Sequence, residues 1–317
     1  MSLAEFSLIE KYFSALGAPR ADVLLGVGDD AAQLSVPPNM SLITAVDTMV
    51  AGVHFPDNTR SDDIGYKLLA VNLSDLAAMG AEPAWFTLAL TLPESDESWL
   101  AGFAEGISGL ALQHGVQLVG GDTTRGPLVL TLQAHGLVPV EQCLKRSGAQ
   151  VGDHIYVTGS LGDAALGLAI ALDGDQYPDS VYLLERLNRP SPRVALGIAL
   201  CSVAHSAIDI SDGLLADLGH ICQQSNVGAL LELNQLPLSA AFRAATASID
   251  TALNGGDDYE LCFTASADSD STLQALARQH GCAISCIGKV VEGEGIVCHL
   301  DGVPCQVEKT GYQHFRG

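Results

Sequence analysis

The stretch Leu68-Leu69-Ala70-Val71-Asn72-Leu73-Ser74-Asp75-Leu76-Ala77-Ala78-Met79-Gly80 decides the fold class. It reads as an apolar helix, with Ser61-Asp62 upstream to cap its first turn and Gly80 to stop it after Met79. Strand-like segments flank it: Leu42 to Val46 before, Ala84 to Leu92 after, and Leu128 to Val138 further on, where Leu, Val and Thr alternate. A second helix is expected from Glu97 to His114, ahead of Gly115. Strands and helices mixed in this way make an α+β pattern.

Beyond it, the segment from Pro139 to Gly152 carries Pro, Gly and charge between two regular regions and reads as a domain connection. The expected organisation is an N-terminal α+β domain over 1–138, a connection over 139–152 and a C-terminal α/β domain over 153–317. In the second half, His154 to Thr158 reads as a strand that Gly159-Ser160-Leu161-Gly162-Asp163 turns into a helix through Ala171. That corner suits a phosphate, and it suits an ordinary structural turn equally well.

The chain has 15 Lys+Arg against 37 Asp+Glu, a formal net charge of -22, which argues against nucleic acid or an anionic membrane as partner. Its start lacks a basic region followed by an apolar one, and no run approaches the roughly 20 apolar residues of a membrane helix, so a cytoplasmic location is expected. The 8 cysteines are scattered and read as free thiols. The spacing of the four from Cys282 to Cys305 is not that of a zinc ribbon, and buried thiols are expected there.

Six acidic motifs carry the chemistry: Gly28-Asp29-Asp30, Val46-Asp47-Thr48, Ser74-Asp75, Gly120-Gly121-Asp122-Thr123, Asp209-Ile210-Ser211-Asp212-Gly213 and Gly255-Gly256-Asp257-Asp258-Tyr259-Glu260. Carboxylates on Gly-rich turns at strand ends are hard-oxygen ligands, and several together suit Mg²⁺ and the phosphates it carries. Surface turns favour Gly-Asp-Asp for structural reasons alone. Asp75 says more, because an ionised carboxylate among apolar helix neighbours is costly unless paired or metal-bound. Lys67, about two helical turns away, is the structural alternative as its partner. The Asp209 to Gly213 segment opens a helix from Leu214 to Cys222, where one residue would cap and free N–H groups would meet phosphate oxygens. No Gly-x-x-x-x-Gly-Lys loop, Gly-x-Ser-x-Gly elbow or calcium loop occurs, so a metal-dependent phosphoryl-transfer enzyme is expected.

In order and separation these motifs resemble the thiamine-monophosphate kinase family, within the aminoimidazole-ribonucleotide-synthetase-like superfamily. The likeness runs from Gly26-Val27-Gly28-Asp29-Asp30-Ala31 through Gly52-Val53-His54-Phe55 to the terminal Gly311-Tyr312-Gln313-His314-Phe315, nearly the whole chain. It implies a homodimer whose N-terminal sheets join in a barrel-like interface, beside a C-terminal α/β domain. It implies that ATP and thiamine monophosphate give thiamine diphosphate and ADP. Carried over by position, Asp30, Asp47, Asp75, Asp122, Asp209 and Asp212 would hold several Mg²⁺ ions. Gly121, Asp122, Arg146 and Ser211 would serve ATP; His54, Glu260 and Tyr312 would contact thiamine monophosphate. No residue is implied as a general base. One departure is Ala45-Val46, where the family usually places a small hydroxyl residue before the aspartate; here the nearest is Thr44. The alternatives are another ATP-dependent synthetase of the superfamily and a non-catalytic nucleotide- or cation-binding protein.

Overall fold

Residues 5–174, 176–307 and 311 are described by the structure, a computed structural model. The chain divides into two units, one of Met1–Leu76 with Ala81–Glu141 and one of Ala77–Gly80 with Gln142–Gly317.

The first unit is built on the expected helix and its flanking strands. In chain order come α1 (Glu5–Tyr12), the short pair β1 (Val23–Leu25) and β2 (Gln33–Leu34), β3 (Met40–Val50), α2 (Ser61–Ala78), β4 (Glu82–Leu92), α3 (Glu97–His114), β5 (Gln117–Arg125) and β6 (Val129–Pro139). Four strands form one sheet in the order β3-β6-β4-β5, antiparallel except for β4 and β5, which α3 joins in parallel. Asp96 caps α3 by accepting from the Ser98 and Trp99 N–H groups, and Gly115 ends it in the left-handed conformation at φ 66°.

Glycines let α2 and α3 touch backbone to backbone, since a Cβ on Gly65 would overlap the Phe103 carbonyl and one on Gly106 the Asp62 carbonyl. Around that contact Leu68, Leu69, Leu73, Leu76, Leu100 and Phe103 are all but fully buried. Each such side chain contributes about 1.5–3 kcal/mol of transfer free energy. β3 is an edge strand of the sheet and shows Leu42 and Val46, 48% and 59% exposed, on alternate positions.

The second unit contains β7 (His154–Thr158), α4 (Asp163–Asp173), α5 (Ser180–Asn188), α6 (Val194–Leu200), β8 (Ala204–Asp209), α7 (Leu214–Ser225), β9 (Gly228–Glu232), α8 (Ala240–Ala244), α9 (Ile249–Asn254), β10 (Leu261–Ala265), α10 (Asp270–His280), β11 (Ile284–Val291), β12 (Gly295–Leu300) and β13 (Val303–Cys305). Its seven strands run β13-β12-β9-β11-β7-β10-β8, and only β12 with β9 is parallel. The unit is therefore α+β; strands and helices do not alternate in the doubly wound manner. Ile155, Val157, Ile208 and Cys262 from the sheet pack with Leu214, Leu218, Ile221 and Leu253 from α7 and α9 in one core. Tyr156 and Phe263, directly opposite each other on β7 and β10, stack at 5.3 Å between ring centroids.

No disulfide joins the cysteines. Cys222, Cys262, Cys282 and Cys298 are buried, while Cys286 is exposed, so burial holds for only part of the Cys282 to Cys305 group. No helix among the described residues is long and apolar enough to cross a membrane.

Candidate active site

In the first unit the acidic residues stand on three kinds of support. Asp30 lies in an exposed bend after β1, its N–H donating to the Asp29 carboxylate at 2.8 Å. Asp47 lies within β3, Asp122 within β5 and Asp75 within α2. Asp75 stands on the helix expected for it, and the reading of acidic residues on Gly-rich turns at strand ends is corrected for Asp47 and Asp122. Gly120-Gly121 does not break β5, because a Cβ on Gly121 would overlap the Leu88 carbonyl and the glycine lets β5 lie close against β4. Asp47, Leu132, Leu88 and Gly121 form one row across the sheet. At the usual strand spacing, β3 and β5 are separated by about 14 Å along that row.

On α2, Asn72 is fully buried; its Nδ2 donates to the Leu68 carbonyl at 2.9 Å and its Oδ1 has no hydrogen-bond partner. Asp75, one turn on, is partly exposed. After β3 the chain turns back so that the His54 Nδ1 accepts the Val50 N–H at 3.1 Å. An accepting Nδ1 carries no proton, so neutral His54 has its proton on Nε2, as a donor. Thr44, the hydroxyl nearest to Asp47 on its N-terminal side, accepts from Gln133 Nε2 at 3.1 Å on the exposed face of β3.

In the second unit the Asp209 to Gly213 loop joins β8 to α7. The N-cap residue is Gly213, which has no side chain to cap the helix. Instead Asp217, from inside α7 and 3% exposed, receives the N–H groups of Ser211, Asp212 and Gly213 on one oxygen at 3.1, 3.0 and 3.1 Å. The three loop N–H groups ahead of the helix are thus occupied from within the fold. Burial, with the negative charges of Asp209 and Asp212 added, pushes the Asp217 carboxyl up to about 8.

Glu260, just ahead of β10, is completely buried. Its Oε1 accepts from Arg186 at 2.9 Å and Arg193 at 2.6 Å; its Oε2 accepts from Arg193 Nε at 2.7 Å and the Thr158 hydroxyl at 2.6 Å. Burial alone would lower the Arg193 guanidinium, and the bonds to Glu260 override it and raise it. A ligand hydrogen bond to Glu260 therefore requires one of these four donors to yield. Glu260 and both arginines line a cavity of about 420 Å³ together with Ser160, Tyr182 and Cys282. Nearby, buried Asp163 accepts from Ser160, Ser239 and Tyr182 hydroxyls at 2.6, 2.6 and 3.0 Å. Asp258 accepts the Gly162 N–H, and burial pushes it up to about 8. Arg146 is exposed, its carbonyl accepting from Ser225 at 3.4 Å. Tyr312, with His314 and Phe315, lies outside the described residues.

Among the described residues no three carboxylate, imidazole or thiol side chains converge on one point. The donors nevertheless suit Mg²⁺. They are oxygens throughout, the donor type that a hard cation takes, and Asp209 and Asp212 stand close enough to Asp217 to raise its carboxyl.

Two family models match the chain: the N-terminal domain of AIR synthase related protein over residues 28–138 and its C-terminal domain over 150–301. The chain is 48% identical to the thiamine-monophosphate kinase of Escherichia coli K12 over 322 aligned positions, covering 99% of each. It is 43% identical to that of Haemophilus influenzae, covering 100% of this chain and 99% of the relative. Among solved structures, thiamine-monophosphate kinase from Stenotrophomonas maltophilia aligns at TM-score 0.87 with 49% identity, over 96% of this chain and 99% of that one. The chain belongs to the thiamine-monophosphate kinases.

A further solved member of the kinase family, AaThiL complexed with AMPPCP and TMP, aligns at TM-score 0.78 with 30% identity, over 91% of this chain and 92% of that one. Hydrogenase maturation protein HypE, at 19% identity and TM-score 0.79, shares the fold. In this kinase the residues that the sequence reading passed over are Asp217, Arg186 and Arg193, while Asp163 and Asp258 were quoted within motifs but given no role. For Asp217 a signal was present: an acidic residue within Leu214-Leu215-Ala216-Asp217-Leu218 invites the same question of burial as Asp75. Nothing local marks Arg186 or Arg193, whose partner is distant in sequence.

Proposed function

We propose that the chain transfers the γ-phosphoryl group of ATP to thiamine monophosphate, giving thiamine diphosphate and ADP, with Mg²⁺, as a cytoplasmic homodimer. The observation that carries this reading is full-length similarity to thiamine-monophosphate kinases together with a donor set made of oxygens. The relative solved with AMPPCP and TMP supports the same pair of substrates.

Asp30, Asp47, Asp75 and Asp122 in the first unit, and Asp209 and Asp212 in the second, are the residues that would hold Mg²⁺. Bound there, Mg²⁺ supplies charge neutralisation between two polyanions and alignment of the transferred group. Gly121, Asp122, Arg146 and Ser211 serve ATP; His54, Glu260 and Tyr312 serve thiamine monophosphate. The acceptor phosphate has a second pKa near ~6, so it is already nucleophilic at neutral pH and no side chain need act as a strong base. His54 is oriented by the Val50 N–H, which its Nδ1 accepts. Arg186 and Arg193 hold Glu260 in one orientation.

The homodimer reading draws support from β3, a strand of 11 residues at the sheet edge with exposed Leu42 and Val46, the kind of edge that pairs with another copy. The decisive experiment is product analysis after incubation with ATP and thiamine monophosphate, with and without Mg²⁺. Metal-dependent thiamine diphosphate is expected, and its absence from folded protein overturns the reading. Light scattering coupled to gel filtration checks the dimer.

A further inference from the structure

We infer that Asp217 is a positioning residue for the cation-binding loop. By filling from within the fold the backbone pocket that would otherwise take a phosphate, it makes the start of α7 a rigid mount for Asp209, Ser211 and Asp212. The inference rests on the reading that this loop holds a divalent cation.

Three successive N–H groups pointing at one spot form a concave anion-binding nest, and at a helix start the helix dipole strengthens it. Left open, such a nest draws phosphate directly onto the backbone and repels a cation. Here a carboxylate oxygen of the chain itself occupies it, at 3.0–3.1 Å from all three nitrogens. Asp217 is also tied to the loop through its main chain, its N–H donating to the Gly213 carbonyl at 3.0 Å. The other side of the loop is pinned as firmly. Asp257 N–H donates to the Ser211 carbonyl at 2.9 Å and Tyr259 N–H to the Ile210 carbonyl at 2.8 Å, while a Cβ on Gly256 would stand 2.5 Å from the Ser211 oxygen.

This arrangement divides the work. At most helix starts a Ser or Asp at the cap spends its own side-chain oxygen on the first-turn N–H groups. In this loop Asp217, from inside the helix, instead accepts the three N–H groups that precede the first turn, those of Ser211, Asp212 and Gly213. Asp217 touches no substrate in this arrangement and acts through the residues it holds, as an outer partner of a metal site does.

The test uses full-length protein and three variants, with Mn²⁺ as the probe. Mn²⁺ binding without nucleotide is followed by electron paramagnetic resonance, thermal unfolding is measured in EDTA, and the Mg²⁺ dependence of turnover is recorded beside the KM for thiamine monophosphate. Asp217→Asn keeps a carbonyl oxygen for the three N–H groups, and Asp217→Ala removes it. Asp212→Asn checks the underlying reading. Losing an outer partner weakens metal binding by about 10–100-fold. Asp217→Ala is expected to fall in that range for Mn²⁺ and for the Mg²⁺ requirement, with KM for thiamine monophosphate unchanged. Asp217→Asn is expected to restore most of the loss. If Asp217→Ala does not fold, Asp217→Glu, whose carboxylate is displaced by one methylene, takes its place under the same criteria.

Normal Mn²⁺ binding by Asp217→Ala overturns the inference, and so does equal damage from Asp217→Asn and Asp217→Ala. Normal Mn²⁺ binding by Asp212→Asn removes the reading of the loop itself. Damage from Asp212→Asn without damage from Asp217→Ala removes only the role of Asp217.

Discussion

Glu260 and Asp217 are both buried carboxylates of the second unit, and they are held in opposite ways. Glu260 meets two guanidinium groups and a hydroxyl, so its charge is matched within the protein. Asp217 meets three backbone N–H groups, with Asp209 and Asp212 adding negative charge around it. A carboxylate paired with arginine is balanced before any ligand arrives. One that only backbone dipoles compensate, among other carboxylates, is balanced when a cation joins it. The contrast separates a carboxylate whose charge arginine matches from one that burial and neighbouring carboxylates push towards its protonated form.

The largest effect is expected from breaking the matched corner. Arg193→Ala leaves Glu260 short of a bidentate partner in a buried site and should lower stability by about 3–5 kcal/mol in urea unfolding. Adding Glu260→Gln to that variant should recover part of the loss, and no recovery would mean that Arg193 acts through packing rather than charge.

The unmatched corner should respond to metal instead. Mg²⁺ at about a hundredfold over its dissociation constant should stabilise the protein by about 2.7 kcal/mol. The same addition should do little for Asp212→Asn, and an equal gain in both proteins would place the cation elsewhere.

Thr158→Val removes an acceptor for the Leu261 N–H as well as a donor to Glu260, and should cost about 1–3 kcal/mol without changing the Mg²⁺ requirement. A shifted Mg²⁺ requirement would join the two corners functionally.

A last effect appears only with pH and concerns Asp258, whose folded pKa of about 8 stands above its ordinary 3.8. Between those values the unfolded chain has released this proton and the folded chain retains it, so the contribution of Asp258 to stability is full at low pH and is lost as pH rises towards 8. Asp258→Asn, which does not titrate, should melt close to the unaltered protein at pH 4 and above it at pH 8.5, the gap widening as pH rises. A gap that shrinks with rising pH would reverse the assignment.

Much of the fold was legible because its signals are local. The α3 boundaries, Glu97 to His114, follow from Asp96 and Gly115, and β7 from its apolar run between His154 and Gly159. β5 was less legible, because Gly120-Gly121 reads as a turn until β4 is known to lie against it. The acidic residues were legible as types. Asp47 and Asp122 could not be placed on the two outer strands of one sheet, since strand order depends on how distant segments pair.

The family and the long helices and strands around the acidic motifs could be read from the order of residues alone, because motif order, caps and hydrophobic period act over a few residues. The matching of charges emerged with the folded arrangement. Arg193 reaches Glu260 from 67 residues away, and Thr158 reaches it from 102. Asp217 is only a turn from the loop it holds, yet the nest it fills forms when β8, α7 and the segment between Gly255 and β10 close together. A buried charge must find its partner in three dimensions, because in the unfolded chain water already satisfies it and the local sequence carries no need for one.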